Sequence, residues 1–370
     1  MPRSQFLPIY LGLLSVALQG ADDQRFPGAD WEHVTKPEAV GFSGPKLALL
    51  GNWMKTLDTT AIVVVVGGRI LFEYGDVKHV SVLASARKSV LGMLYGKYVG
   101  NGTIDLDRTV KDVGLDDVQK FLPIEQGARL QDLLMARSGI YLPSDGDEGP
   151  SDMCPARGSQ FPGAFFCYTN WDFNAAGTAF EKLTGKNIYD ALESDLAHPI
   201  GLQDFDRAVQ KKDTAMPHSV HPLYHIYLST RDMARVGLLM LRGGNWNGKQ
   251  VVDQNWVNFM TTLVTPVNEL FPHGLRQAAE QAQWRWGFGT MWWVWDSPRL
   301  PIGLSANNFY GAYSAMGFGG QYITVLPGYD MVVAHKVEIQ NTSRGMDVSN
   351  QDYYTVLQML IASRCGDHCH

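Results

Sequence analysis

Residues 81–95 read SVLASARKSVLGMLY. Downstream of Ser85, the residues Val90, Leu91, Met93, Leu94 and Tyr98 make a helix that is apolar nearly all round. Such a helix is buried. Gly100-Asn-Gly ends it. Ser85 then stands at its N-terminus, where free N–H groups and the positive end of the helix dipole favour developing negative charge. Lys88 follows one turn later on the same face. Two readings of the pair are open. In one, burial disfavours the charged form of Lys88, and its neutral amine takes the proton of a nucleophilic Ser85. In the other, Ser85 is an N-cap and Lys88 snorkels to water.

The spacing alone carries little, because the chain holds its own control. Ser43-Gly-Pro-Lys46 has the same Ser-x-x-Lys pattern. There Pro45 sits in the first turn, where its missing N–H costs nothing. Ser43 is read as the N-cap of a helix with Leu47, Leu50, Trp53, Met54 and Leu57 on one face.

Between these two serines, residues 63–74 read VVVVGGRILFEY, two strands around a Gly-Gly turn. Past residue 95 the pattern is helical, over residues 130–135, 171–183, 188–196, 229–241 and 254–262. Asn170 and Ser229 or Thr230 are expected caps, and Gly185 and Gly243 expected stops. From residue 284 the chain turns β-rich, over 286–295, 321–326 and 331–335, with Pro327-Gly-Tyr-Asp as a turn. A last helix covers 352–362. The simplest architecture is α+β: one antiparallel sheet built from both chain ends, flanked by helices, with a helical lobe inserted. In residue terms, 28–88 and 280–363 form the sheet lobe and 89–279 the helical lobe.

The chain has 370 residues, 45% of them hydrophobic and 18% charged, with a formal net charge of −6. That is ample for a large core. No basic run interrupts the charge pattern, so a nucleic-acid partner has no electrostatic support. Residues 6–18 are almost unbroken apolar, behind Arg3 and ahead of Ala17, Gly20 and Ala21. This is a signal-peptide pattern over residues 1–20, too short to span a bilayer. A soluble, exported protein, periplasmic or secreted and without a stable membrane anchor, is expected. Four cysteines fit that compartment, and their closeness in sequence favours Cys154 with Cys167 and Cys365 with Cys369.

Two further segments carry candidate chemistry. In Cys167-Tyr-Thr-Asn-Trp-Asp-Phe-Asn, Tyr168 and Asn170 lie two apart before a helix, where an extended backbone points both the same way. A phenol near a lysine ammonium can serve as a base. An amide can orient both Lys88 and a substrate carbonyl. The structural alternatives are core filling for Tyr168 and capping for Asn170. In Met316-Gly-Phe-Gly-Gly-Gln-Tyr, glycines let a substrate approach a strand whose N–H is a second oxyanion donor. The alternative is a tight bend at a strand start.

Together and in this order, the three segments resemble the serine β-lactamase and penicillin-binding protein superfamily. They are most similar to its class C-like branch, with the family VIII carboxylesterases and 6-aminohexanoate-dimer hydrolases. Ser85-Ala-Arg-Lys88 matches its Ser-x-x-Lys motif and Tyr168-Thr-Asn170 its Tyr-x-Asn motif. Gly102-Thr-Ile-Asp-Leu-Asp, Leu133-Leu-Met-Ala-Arg-Ser-Gly-Ile, Pro199-Ile-Gly-Leu and the segment from Ser229 to Leu239 look like its connecting segments. The resemblance implies the same two-lobe fold and acyl transfer without a cofactor or metal, on a small ester or amide. It implies Ser85, Lys88, Tyr168 and Asn170 as the catalytic set. The Ser85 and Phe318 backbone N–H groups would hold the oxyanion, and Gly317, Gly319 and Gln321 would line the substrate. One position departs. Where the family has Lys-Thr-Gly, this chain has Ala315-Met316-Gly317. The absent cation would hold a penicillin or peptidoglycan carboxylate, which favours an esterase or amidase over a β-lactamase or D-Ala-D-Ala carboxypeptidase.

Other readings compete. Gly-x-Ser-x-Gly is absent, which removes the α/β-hydrolase elbow. His218, His221 and His225 suggest a metal, but Pro222 spoils a helix there, so a structural role is expected. A sensor or binding domain that kept the fold and lost turnover is the non-enzyme alternative. The aromatic set Trp284, Trp286, Trp292, Trp293 and Trp295 is core or pocket, and strand alternation would bury about half of it.

Overall fold

The structure is a computed structural model and describes residues 24–146, 154–213, 217–272, 285–296, 309–340, 346–365 and 369. The expected signal peptide and Trp284 lie outside the described residues. The strands of the main sheet are β1 (Ala61–Val66), β2 (Arg69–Gly75), β3 (Trp286–Phe288), β4 (Trp293–Trp295), β5 (Tyr313–Gly317), β6 (Gln321–Leu326) and β7 (Met331–Lys336). The order is β2-β1-β7-β6-β5-β4-β3, and every pairing is antiparallel. The two ends of the chain meet where β1 runs beside β7, with Ala61 opposite Lys336 and Val66 opposite Met331. The expected sheet is therefore observed. Gly67 and Gly68, with φ of 57° and 76°, make the β1–β2 turn that needs two left-handed residues.

The principal helices are α1 (Gly44–Met54), α2 (Ala86–Gly100), α3 (Asn170–Thr184), α4 (Thr230–Leu241) and α5 (Asn350–Ala362). Both faces of the sheet are covered, which is why β1 is an unbroken buried valine run rather than an alternating strand. Helix α4 lies on the face of Ile323 and Val332. It approaches so closely that a Cβ on Gly237 would fall 2.3 Å from Val332 Cγ1. Helix α5 covers the other face. Tyr353 stacks on Tyr322 at 3.9 Å, and its hydroxyl bonds Thr324, which bonds Ser314. This double covering also corrects the expectation for the tryptophans. Trp286, Trp292 and Trp295 are all buried and only Trp293 is part-exposed, so alternation does not halve the set.

The control serine does what its surroundings predict. Ser43 caps α1 by accepting from the Lys46 N–H, and Lys46 Nζ donates to the Ala362 carbonyl at the end of α5. Both expected disulfides, Cys154–Cys167 and Cys365–Cys369, are present.

A buried lysine that the sequence reading missed fastens the sheet to the segment before Ser85. Lys336 Nζ donates to Ser81 O at 2.6 Å, Leu228 O at 2.9 Å and Val82 O at 3.3 Å. Burial pushes its pKa down to about 7. The negative charge of Glu338 opposes that pull. Lys336→Met removes the donor from these carbonyls and is expected to cost about 1–3 kcal/mol. A depressed lysine pKa favours the neutral form in the fold. The group's contribution to stability is therefore smallest below pH 7 and rises towards its unfolded value of about 10.4. Melting temperatures of wild type and Lys336→Met should diverge between these limits. A constant difference would show that the ammonium keeps its charge throughout.

Candidate active site

Ser85 sits at the first turn of α2. The turn is reached through Ala84, whose φ of 46° is left-handed. For a residue with a Cβ, that costs roughly 1 kcal/mol or more, a kind of strain that clusters at functional sites. Upstream, Ser81–Val82 pairs with Tyr227–Leu228 and the Leu83 N–H donates to Ile226 O at 2.9 Å. The approach to Ser85 is thus anchored on both sides.

Of the two readings of the opening pair, the capping one fails. Ser85 makes no side-chain cap bond. Lys88 is 3% exposed and does not snorkel. Its Nζ donates to Ser85 Oγ at 2.9 Å and to Tyr168 OH at 3.0 Å. Lys88 Nζ also lies over the rings of Tyr168 and Phe173, at 4.4 and 4.8 Å from their centroids. Tyr168 is wedged among Phe173, Phe288 and Trp293 with centroids 5.1, 5.7 and 5.5 Å away. The Cys154–Cys167 bridge and the bond from Cys167 N to Ala136 O fix the backbone just before it.

Gly317, at the end of β5, closes the site from the sheet side. A Cβ there would fall 2.3 Å from Leu83 O and 3.0 Å from Ala86 N. Only glycine lets the strand lie against the nucleophile turn. Beyond it, Gly319 and Gly320 have φ of 77° and 105°, and Phe318 projects with 69% of its surface exposed. Among the described residues, neither the Ser85 nor the Phe318 N–H donates a backbone hydrogen bond.

Two cavities flank Ser85. The first, about 540 Å³, is lined by Tyr168, Leu270, Trp286, Trp293, Phe318 and Tyr322, with Asp347 as the charged residue among those described. The second, about 310 Å³, is lined by Arg87, Gly146, Asn170, Leu223, His225 and Ile339, and also touches Ser85 and Phe318.

Two expected site residues are positioned otherwise. Gln321 is buried, donates to Val337 O at 2.8 Å and is not among the cavity residues. As the first residue of β6 it points opposite to Tyr322, which does line the cavity. Asn170 is the first residue of α3, with Thr169 in the cap position. Its Nδ2 donates to Gly146 O at 2.7 Å and its Oδ1 accepts from Arg87 Nη2 at 3.4 Å. Asn170 thus serves the second cavity, whereas Tyr168 serves the first. Gly317 and Gly319 line the first cavity as expected. Arg87 escaped the sequence reading although it stands inside the Ser-x-x-Lys motif, whereas Trp286 and Trp293, from the set read as core or pocket, line the first cavity.

Two of the three histidines have side-chain partners, and His225 also lines the second cavity. His221 is buried with Nδ1 3.1 Å from Thr178 Oγ1, and His225 Nε2 pairs with Asp213 at 2.9 Å. Among the described residues no cluster of three or more His, Cys, Asp or Glu could hold a metal. No described helix is long and apolar enough to cross a membrane.

An antiparallel sheet that presses a serine, a buried lysine and a tyrosine into one hydrogen-bonded row defines an enzyme of the serine hydrolase class. The chain belongs to the β-lactamase family, whose model matches residues 52–348. It is 24% identical over 347 residues to the 6-aminohexanoate-dimer hydrolase of Paenarthrobacter ureafaciens, covering 85% of this chain and 80% of that one. A shorter match, 26% identical over 110 residues, is to an uncharacterized protein of Alkalihalophilus pseudofirmus, of which this chain spans 29%. In fold it is similar to EstCE1, a hydrolase with promiscuous acyltransferase activity, with a TM-score of 0.58, 14% identity and coverage of 88% of this chain and 99% of that one.

Proposed function

We propose that the protein is a carboxylesterase or amidase that cleaves a small ester or amide through an acyl-enzyme on Ser85. The observation that carries this reading is the row Ser85 Oγ, Lys88 Nζ and Tyr168 OH, with contacts of 2.9 and 3.0 Å. Lys88 and Tyr168 take the Ser85 proton as Oγ attacks the carbonyl carbon. The unpaired N–H groups of Ser85 and Phe318 receive the oxyanion. Tyr168 returns the proton to the departing oxygen or nitrogen as its bond to the acyl carbon breaks. Water then attacks the acyl-enzyme by the same route and frees Ser85. The leaving group departs on the Tyr168 side, into the first cavity, and the acyl group occupies the second, beside Asn170.

The relatives' names support hydrolysis of an ester or amide. The absence of a cation at Ala315, with Asp347 as the charge on the first cavity, leaves an anionic leaving group without a partner there. That supports a neutral substrate over a penicillin. Export fits the apolar leader of residues 6–18 and the two disulfides.

Hydrolysis of p-nitrophenyl butyrate and of nitrocefin, measured side by side, tests the reading. The ester should be turned over and the β-lactam scarcely. Dominant nitrocefin turnover would make the protein a β-lactamase in spite of Ala315. A stable acyl-enzyme without turnover, seen by intact mass, would make it a sensor.

A further inference from the structure

Arg87 is 2% exposed. Its Nη2 donates to Asn174 Oδ1 at 2.9 Å and to Asn170 Oδ1 at 3.4 Å, and its guanidinium lies 4.1 Å from the centroid of the Tyr224 ring. Nη1 is buried and has no partner. Other arginines of the helical region meet carboxylates: Arg157 meets Glu125, and Arg231 meets Asp204. The fully buried Arg235 is answered by the carbonyls of Ile200, Gly28 and Ala29. Arg87 has no ion-pair partner among the described residues. Asp145 joins this network through its backbone, whose carbonyl accepts from Asn174 Nδ2 at 3.2 Å. A buried cation with neutral partners is expensive unless something supplies the opposite charge.

The place of this cation suggests what supplies it. Arg87 lines the second cavity beside Ser85, and Asn170, which it holds, lines it too. No acid is among the described residues of that cavity, and His225 Nε2 is paired with Asp213. The first cavity has the opposite sign, through Asp347. Among the described residues, the two cavities beside Ser85 therefore carry charges of opposite sign.

We propose that the second cavity is an anion subsite. It takes the acyl part of a half-ester or half-amide of a short dicarboxylic acid, whose free carboxylate gives Arg87 its missing counter-charge. The proposal rests on the acyl-transfer reading and adds the substrate class to it. The serine attacks the ester or amide carbonyl as before, the leaving group departs uncharged into the aromatic cavity, and the acyl-enzyme retains the distal carboxylate.

The test compares p-nitrophenyl hydrogen adipate with p-nitrophenyl methyl adipate, which has nearly the same length and no charge. Wild type should favour the half-ester in kcat/KM by about tenfold or more, an advantage that salt erodes. Arg87→Gln should bring the ratio of the two rates towards one, and Arg87→Lys should keep part of the preference. Equal wild-type rates, or an Arg87→Gln protein that slows both esters alike, would overturn the subsite and leave Arg87 as a support for Asn170. A binding readout separates this from the chemistry. By calorimetry, monomethyl adipate should bind the Ser85→Ala protein, whereas dimethyl adipate should not. Binding of the monoanion without turnover of either ester would sink the hydrolase reading and keep the subsite. Absence of monoanion binding would overturn the subsite even in an active esterase.

Discussion

Ser85→Ala protein should fold and melt as wild type does, yet hydrolyse p-nitrophenyl butyrate no faster than background. The loss expected for a nucleophile that works with its base as a unit is roughly 10³- to 10⁶-fold in kcat. Lys88→Ala should lose as much, because the serine proton then has no buried acceptor 2.9 Å away. The double variant should be no worse than either single one, since each already disables the same step. The chain supplies its own control. Ser43→Ala removes the cap of α1 and should cost about 1 kcal/mol of stability, with kcat untouched. Turnover that persisted in Ser85→Ala would remove this serine from the chemistry. Equal losses in the two serine variants would point to general destabilisation instead.

Gly317→Ala is expected to damage both stability and turnover by adding a single methyl group. The φ of Gly317 is not among the left-handed ones, so the backbone accepts an alanine and only space is at issue. The added carbon would meet two backbone atoms, Leu83 O at 2.3 Å and Ala86 N at 3.0 Å. Neither can turn aside as a flexible side chain could. Either β5 retreats or the Ser85 turn does. Overpacking of this kind costs about 1–3 kcal/mol. A shift of about 1 Å between the nucleophile and an oxyanion donor costs on the order of 100-fold in rate. Calorimetric melting and kcat measured on one preparation check both. An alanine variant with wild-type kcat would mean that the strand and the turn are not rigidly coupled, and would weaken the assignment of Phe318 as a donor.

The elements were readable where local pattern and tertiary demand agree. The valine run before Gly67-Gly68, the β-rich stretch after residue 284 and the control helix at Ser43 each announce themselves within a dozen residues. The reacting row was readable through the order of its motifs. What escaped depends on neighbours far along the chain. Gln321 was assigned to the substrate because it stands in a glycine-rich segment, but its parity in β6 turns it inward. Arg87, a neighbour of Asn170 across 83 positions, ties it to the second cavity, a contact that local pattern does not announce. Lys336 is an ordinary strand lysine in the sequence. Only the fold brings Ser81, Val82 and Leu228 around it. The tryptophans were misjudged because alternation assumes one wet face, and this sheet has none.

The pairing of β1 with β7 has a consequence for the timing of activity. Strand β1 is made early in synthesis, but its partner starts at Met331 and the glycine that frames Ser85 stands at 317. A ribosome that has released the first 300 residues has released the serine, the lysine and the tyrosine, yet no enzyme. Contacts this distant in sequence form late and slowly. The chain is therefore a proenzyme by topology, without a propeptide. Its chemistry is withheld until the last strand enters the middle of the sheet, and a protein cut short before residue 331 should be inert even though every reacting group is present.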